Sequence, residues 1–176
     1  MTERIIIAGS GGQGIMLLGK ILAEAAMRED KHVTWLPAYG AEVRGGTAHC
    51  MVVISDREIG SPYVEQADTI IIMNSPSLEK FQNRIKNKGL LIVNSSLAKR
   101  DIGCNAYALK YPFTDMAIEL GNIKVANTLA LGCLIAKKKI VNLKTVFEVI
   151  TNFAPSDKKG LIEVNKKALE KGAALK

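Results

Sequence analysis

The run Gly9-Ser10-Gly11-Gly12-Gln13-Gly14 constrains this chain more than any other segment. It follows the β-branched run Arg4 to Gly9 and precedes Ile15 to Glu29, where Ile15, Leu18, Leu22 and Ala25 recur at helical spacing. A strand, a tight glycine loop and a helix in that order make a Rossmann-like first βα unit. Glycines let backbone N–H groups approach an anion, and the helix N-terminus adds favourable dipole potential. Gly9, Ser10, Gly11, Gly12, Gln13 and Gly14 therefore read as a binding loop for a phosphate or pyrophosphate. The competing reading is a βα turn whose glycines serve packing alone.

A dinucleotide site asks for more than the loop. An Asp or Glu about 20 residues on should end the second strand and hold the ribose hydroxyls. Here the second strand runs into Leu36-Pro37-Ala38, without an acid. No Lys-Ser or Lys-Thr pair follows the loop, so the P-loop pattern is also unmet. A standalone nucleotide- or dinucleotide-binding oxidoreductase stays the alternative, and it lacks its ribose reader.

Further strands are expected at His32 to Leu36, Thr47 to Ser55, Asp68 to Met73, Leu90 to Asn94 and Asn105 to Leu109. Ser75-Pro76 opens a helix that Gly89 is expected to close. Helices are also expected at Thr114 to Leu120, Asn127 to Lys137, Leu143 to Phe153 capped by Asn142, and Asp157 to Lys171 capped by Ser156. Strands that alternate with helices and are apolar on both faces predict the α/β class: a three-layer α/β/α sandwich around a largely parallel sheet. The length suits a single domain over residues 1–176.

Charge and cysteine usage exclude several classes. Residues 1–120 hold 13 Lys and Arg against 13 Asp and Glu, whereas residues 121–176 hold 11 Lys against 4 acids, so the net charge of +7 is C-terminal. Without Arg clusters or interleaved aromatics this excess reads as a solvated helical face, with no nucleic acid as partner. No uncharged run approaches the roughly 20 apolar residues of a membrane span, so no membrane is expected. Cys50, Cys104 and Cys133 are odd in number and far apart, which suits a reducing cytoplasm and makes neither a disulfide framework nor a metal or cluster run. His32, His49, Tyr63, Tyr107 and Tyr111 read as structural residues.

The second informative segment is Tyr39-Gly40-Ala41-Glu42-Val43-Arg44-Gly45-Gly46-Thr47, which sets an aromatic, an acid and an arginine among glycines. Arg44 offers a bidentate fork to a carboxylate or phosphate, Tyr39 a stacking face, and Gly45-Gly46 room for another backbone. An internal Glu42–Arg44 pair bracing a bend is the competing reading. Together GSGGQGI and YGAEVRGGTA resemble the γ subunits, or fused γ domains, of 2-oxoacid:ferredoxin oxidoreductases. The resemblance continues through Asn127-Thr128-Leu129-Ala130-Leu131-Gly132 and Asn165-Lys166-Lys167-Ala168-Leu169-Glu170-Lys171-Gly172, and so spans nearly the whole chain. Ala41 stands where that family often has proline.

The resemblance implies a complex that converts a 2-oxoacid, coenzyme A and oxidised ferredoxin to acyl-CoA, carbon dioxide and reduced ferredoxin. It implies thiamine diphosphate, magnesium and iron–sulfur clusters in alpha, beta and delta type partner subunits, because this chain has no Gly-Asp-Gly motif and no cluster-binding cysteine run. No catalytic residue and no metal ligand is expected here. What the resemblance leaves to this chain is assembly, together with coenzyme A contact at the glycine loop. Tyr39, Gly40, Glu42, Arg44, Gly45, Gly46 and Thr47 are then expected at an interface or in the coenzyme pocket. Within the family, an unfused chain of this length points to 2-oxoglutarate ahead of pyruvate or branched-chain oxoacids.

Overall fold

The computed structural model describes residues 1–38, 47–153 and 159–176. Its strands are β1 (Thr2–Ser10), β2 (His32–Ala38), β3 (Thr47–Ser55), β4 (Ala67–Ile72), β5 (Ile85–Asn94) and β6 (Tyr107–Tyr111). The helices are α1 (Ile15–Arg28), α2 (Ser75–Phe81), α3 (Phe113–Glu119), α4 (Ala126–Lys138), α5 (Leu143–Phe153) and α6 (Lys159–Ala173). The strands form one sheet in the order β2-β3-β1-β4-β5-β6. β1, β4, β5 and β6 run parallel, while β3 is antiparallel to both of its neighbours, β1 and β2. The expected α/β class and largely parallel sheet are borne out, with one reversed strand inserted beside β1.

Strand alternation divides the core in two. Ile5, Ile7, Cys50, Val52, Ile54, Ile71 and Ile92 face the layer built by α1 and α3 to α6. Ile6, Ala8, Met51, Val53, Ile70, Ile72, Leu91 and Val93 face α2, where Leu78 and Phe81 are buried. The helix layers are therefore unequal in thickness.

Three boundaries differ most from expectation: the end of α2 and the starts of β5 and β6. α2 ends at Phe81 and a 3-10 turn covers Gln82–Arg84, so the chain is already in β5 at Ile85. Gly89, read as a helix stop, lies inside β5 beside a register shift, next to Lys88 at φ 61. It thus marks an irregular strand, where a Cβ would sit 2.8 Å from the Ile85 side chain. β6 begins two residues later than expected, at Tyr107. Asn142 stands immediately before α5, where the cap is expected, its carbonyl accepting the Val146 N–H at 3.1 Å and its own N–H donating to Glu29 Oε1 at 2.7 Å, and Ser156 lies outside the described residues.

α4 and α6 cross at two glycines. A Cβ on Gly132 would collide with the Leu169 carbonyl, and one on Gly172 with the Leu129 carbonyl. This close crossing accounts for both helical segments that carried the resemblance. The C-terminal lysines mostly lie on the outer surface, as expected; Lys138 pairs with the buried Glu3 at 2.9 Å, and Lys171 pairs with Glu119 at 2.9 Å. Among the described residues no helix is long and apolar enough to cross a membrane.

Candidate functional site

The sequence places the glycine loop at the carboxyl end of β1, and the topology shows why that end matters. From β1 the parallel order runs through β4 to β6 on one side, while β3 and β2 lie on the other. The α1 and α2 crossovers leave on opposite faces of the sheet. A crevice opens at such a switch point outside the strand ends, the usual ligand position in open α/β sheets. Here it is a cleft of about 150 Å³ lined by Gly12, Gln13, Met73, Leu97, Thr114 and Lys124.

Each loop residue has a definite task. Gln13 Oε1 accepts the Ser10 backbone N–H at 2.7 Å, and Gln13 Nε2 donates to the Met73 carbonyl at 3.1 Å, which ties the loop to the end of β4. Gly9 is packed against Gln13, Ile15 and Met73. Gly14, at φ 71, precedes α1 and abuts Asn127. Gly11 and Gly12 are exposed, and a Cβ at either would meet nothing within 4 Å. The two readings of the loop thus divide between residues: Gly9 and Gly14 pack, whereas Gly11 and Gly12 leave open backbone, with Gly12 lining the crevice.

Of the second segment, Tyr39, Gly40, Glu42, Arg44, Gly45 and Gly46 lie outside the described residues. Thr47 opens β3 directly opposite Ser10, and its hydroxyl lies 3.4 Å from Lys80 Nζ, so the segment re-enters the sheet beside the glycine loop.

The structure adds residues that the sequence reading did not select. Asn94, fully buried at the end of β5, donates to the Thr114 hydroxyl at 2.8 Å and accepts the Thr114 N–H, which fixes the crevice wall. Its signal was a polar residue closing an otherwise apolar strand. Asn127 Nδ2 donates to the Gly14 carbonyl at 3.2 Å. Lys124 stands at the crevice rim, its backbone N–H bonded to Asn122 Oδ1 at 3.0 Å.

Burial pushes the Cys50 thiol up to about 12 and the Cys133 thiol up to about 11, far from a thiolate at neutral pH. Burial also lowers the His49 pKa, helped by the Lys80 and Arg84 charges; its ring packs 4.7 Å from Phe81, on the α2 face. Among the described residues no three His, Cys, Asp or Glu side chains form a metal-binding group. Among the described residues the donor set fits neither an iron–sulfur cluster nor a magnesium ion. The dinucleotide alternative also loses its geometry: β3 separates β2 from β1, so the end of β2 does not flank the loop, and the parallel neighbour β4 ends in Ile71-Ile72-Met73, without an acid to read a ribose.

Residues 4–175 match the family described as pyruvate ferredoxin/flavodoxin oxidoreductase. The chain belongs to that family. It is 38% identical over 170 residues to ketoisovalerate oxidoreductase subunit VorA of Methanothermobacter marburgensis, covering 97% of this chain and 36% of VorA. It therefore spans about a third of the length of that relative. It is 34% identical over 178 residues to 2-oxoglutarate synthase subunit KorC of Methanocaldococcus jannaschii, covering 98% of this chain and 92% of KorC. The keto/oxoacid ferredoxin oxidoreductase gamma subunit of Geobacter sulfurreducens superposes with a TM-score of 0.87 at 28% identity, covering 98% of this chain and 94% of that one. The fold also recurs, with a TM-score of 0.90 at 24% identity, in 2-oxoglutarate:ferredoxin oxidoreductase from Magnetococcus marinus with 2-oxoglutarate, coenzyme A and succinyl-CoA bound, covering 98% of this chain and 30% of that one.

Proposed function

We propose that this chain is the gamma-type component of a 2-oxoacid:ferredoxin oxidoreductase, which oxidatively decarboxylates a 2-oxoacid to its acyl-CoA and passes the electrons to ferredoxin. The observation that carries the reading is the switch-point crevice, where the open Gly12 backbone, Gln13, Thr114 and Lys124 converge. Such a site holds and orients. In this reading it contacts the phosphates of coenzyme A and positions the acyl-acceptor thiol, an orientation effect that requires no proton transfer by this chain. Thiamine diphosphate, magnesium and iron–sulfur clusters belong to alpha, beta and delta type partners, and the complex works in the cytoplasm.

The segment from Tyr39 to Thr47 completes the pocket or docks against those partners. Ketoisovalerate, 2-oxoglutarate and pyruvate are the candidate substrates. The test is co-expression with the partner subunits and an assay of oxoacid-dependent, coenzyme A-dependent reduction of ferredoxin. Turnover by the assembled complex and none by this chain alone is the expected result. Turnover by the pure chain, or its failure to co-purify with any partner, defeats the proposal.

A further inference from the structure

A groove of about 130 Å³ runs between α5 and α6. Leu143 and Phe147, one helical turn apart on α5, and Leu169 on α6 form its apolar floor, while Lys144, Lys166 and Glu170 stand at its rim. Leu169 is buried, but Leu143 and Phe147 are only half-buried, so the floor meets solvent. The Lys166 ammonium lies 5.6 Å from the centre of the Phe147 ring, which holds it against the groove. Lys144 is 88% exposed, and its contact with Glu148, a helical neighbour at 4.0 Å, leaves its charge in water.

This groove sits in the part of the chain that carries the net charge. Residues 121–176 hold 11 Lys against 4 acids and no Arg. Lys138 and Lys171 are paired with Glu3 and Glu119, whereas Lys139, Lys166 and Lys167 have no carboxylate within 4.0 Å among the described residues. A positive field over an apolar slot selects its occupant. The slot is smaller than the roughly 300–1,000 Å³ usual for a small-molecule site and suits one inserted anchor side chain of a protein partner. A second copy of this chain would bring the same lysines and be repelled. Nucleic acid is favoured by arginine forks and free aromatic faces, and here the basic residues are all lysines and the one aromatic of the groove already lies against Lys166.

We infer that the α5–α6 groove docks an acidic segment of a partner subunit, with one apolar side chain between Leu143, Phe147 and Leu169 and its flanking Asp and Glu residues facing Lys144 and Lys166. The inference rests on the proposed gamma-type role, and it gives the C-terminal lysine excess a task in assembly.

Binding of the full-length chain to its partner subunits, measured at about 0.05 M and at about 0.5 M NaCl, tests it, with thermal melts to confirm that each variant folds. Lys144→Glu combined with Lys166→Glu, both at exposed positions, is expected to weaken assembly by at least about tenfold at low salt and by less than about threefold at high salt, because screening removes the interaction that the reversal inverts. A carbodiimide, which couples an amine to a carboxylate in contact with it, is expected to join Lys144 or Lys166 to an Asp or Glu of a partner subunit in the assembled wild-type complex. Assembly of the charge-reversed chain within about twofold of wild type at low salt, or crosslinked peptides that contain neither lysine, overturns the inference and leaves the gamma-type role standing. A wild-type chain that assembles with no partner removes both. Random-sequence duplex DNA titrated in parallel carries the rival outcome: DNA binding that the reversal abolishes while assembly stands assigns the face to nucleic acid and overturns the inference.

Discussion

Asn127 donates from its side-chain amide to the carbonyl of Gly14, 113 residues earlier, at 3.2 Å. The contact closes the start of α4 onto the start of α1, and a Cβ at Gly14 would land on that amide. Gly14 also sits at φ 71, where a side chain is strained by itself. Gly14→Ala is therefore expected to cost about 2–4 kcal/mol in urea unfolding, combining left-handed strain with overpacking. Asn127→Ala in the same chain should restore part of that loss, since it removes the clash and leaves the strain. Equal losses with and without Asn127 would show that the amide is not the obstacle.

The glycine loop and most elements were legible because each rests on local chemistry: the β-branched run before Gly9, the 3.6-residue spacing after Gly14, Pro76 at a helix start. The direction of β3 was not. Its residues Thr47 to Ser55 are apolar on both faces because β3 is flanked by β1 and β2 and covered on both sides. Burial on both faces is what the sequence pattern records, and strand polarity leaves no mark on it. Asn94, Lys124 and Asn127 were missed as site residues for a related reason. Their role depends on the 20- and 113-residue separations closed by Asn94–Thr114 and Asn127–Gly14, and on the crevice that Lys124 rims, all made by tertiary packing.

Gly132 and Gly172 form a reciprocal close approach, each facing a backbone carbonyl of the other helix. Backbone cannot rotate aside as a side chain does, so Gly132→Ala should cost about 2–3 kcal/mol even though alanine is the better helix former by about 1 kcal/mol. Gly172→Ala should behave alike. The double variant should lose less than the sum, because one separation of α4 from α6 relieves both clashes. Full additivity in urea titrations would count against a shared crossing.

Cys50 and Cys133 are fully buried, with thiols raised to about 12 and about 11 by burial, while Cys104 is partly exposed, its thiol also raised by burial. Iodoacetamide at about pH 8 should therefore modify Cys104 alone in the native chain, and slowly, with the other two reacting after denaturation. Mass mapping of the alkylated peptides gives the answer. Rapid native labelling of Cys50 would contradict its packing beneath Trp35 and Gly19.

Arg44 is expected to act outside its own loop. If it only paired with Glu42 on the surface, Arg44→Ala would change little, since an exposed pair is worth about 0–1 kcal/mol. Contact with a buried carboxylate of a partner or with a coenzyme phosphate would instead cost about 2–5 kcal/mol on removal, with Arg44→Lys recovering only part because the planar fork is lost. The expected outcome is weakened assembly or a raised coenzyme A requirement in the complex, with the melting temperature of the chain unchanged. Unaltered assembly and coenzyme A kinetics would leave the arginine as a brace.

His49 makes stability depend on pH in a predictable direction. Burial, then the charges of Lys80 and Arg84, lower its folded pKa below the ordinary 6.5, and its Nδ1 has no hydrogen-bond partner among the described residues. Between the two pKa values the unfolded chain binds a proton that the folded chain does not, so stability there rises with pH. The contribution of His49 is therefore complete above about pH 6.5. It is lost as pH falls from there toward the lowered folded value, below which both states are protonated and the slope ends. His49→Phe keeps a ring against Phe81, removes the unpaired nitrogen and removes the titration. Urea midpoints of the wild-type chain should thus fall on acidification from neutrality, and those of His49→Phe should fall less over the same interval. Parallel curves for the two proteins would assign that slope to other groups.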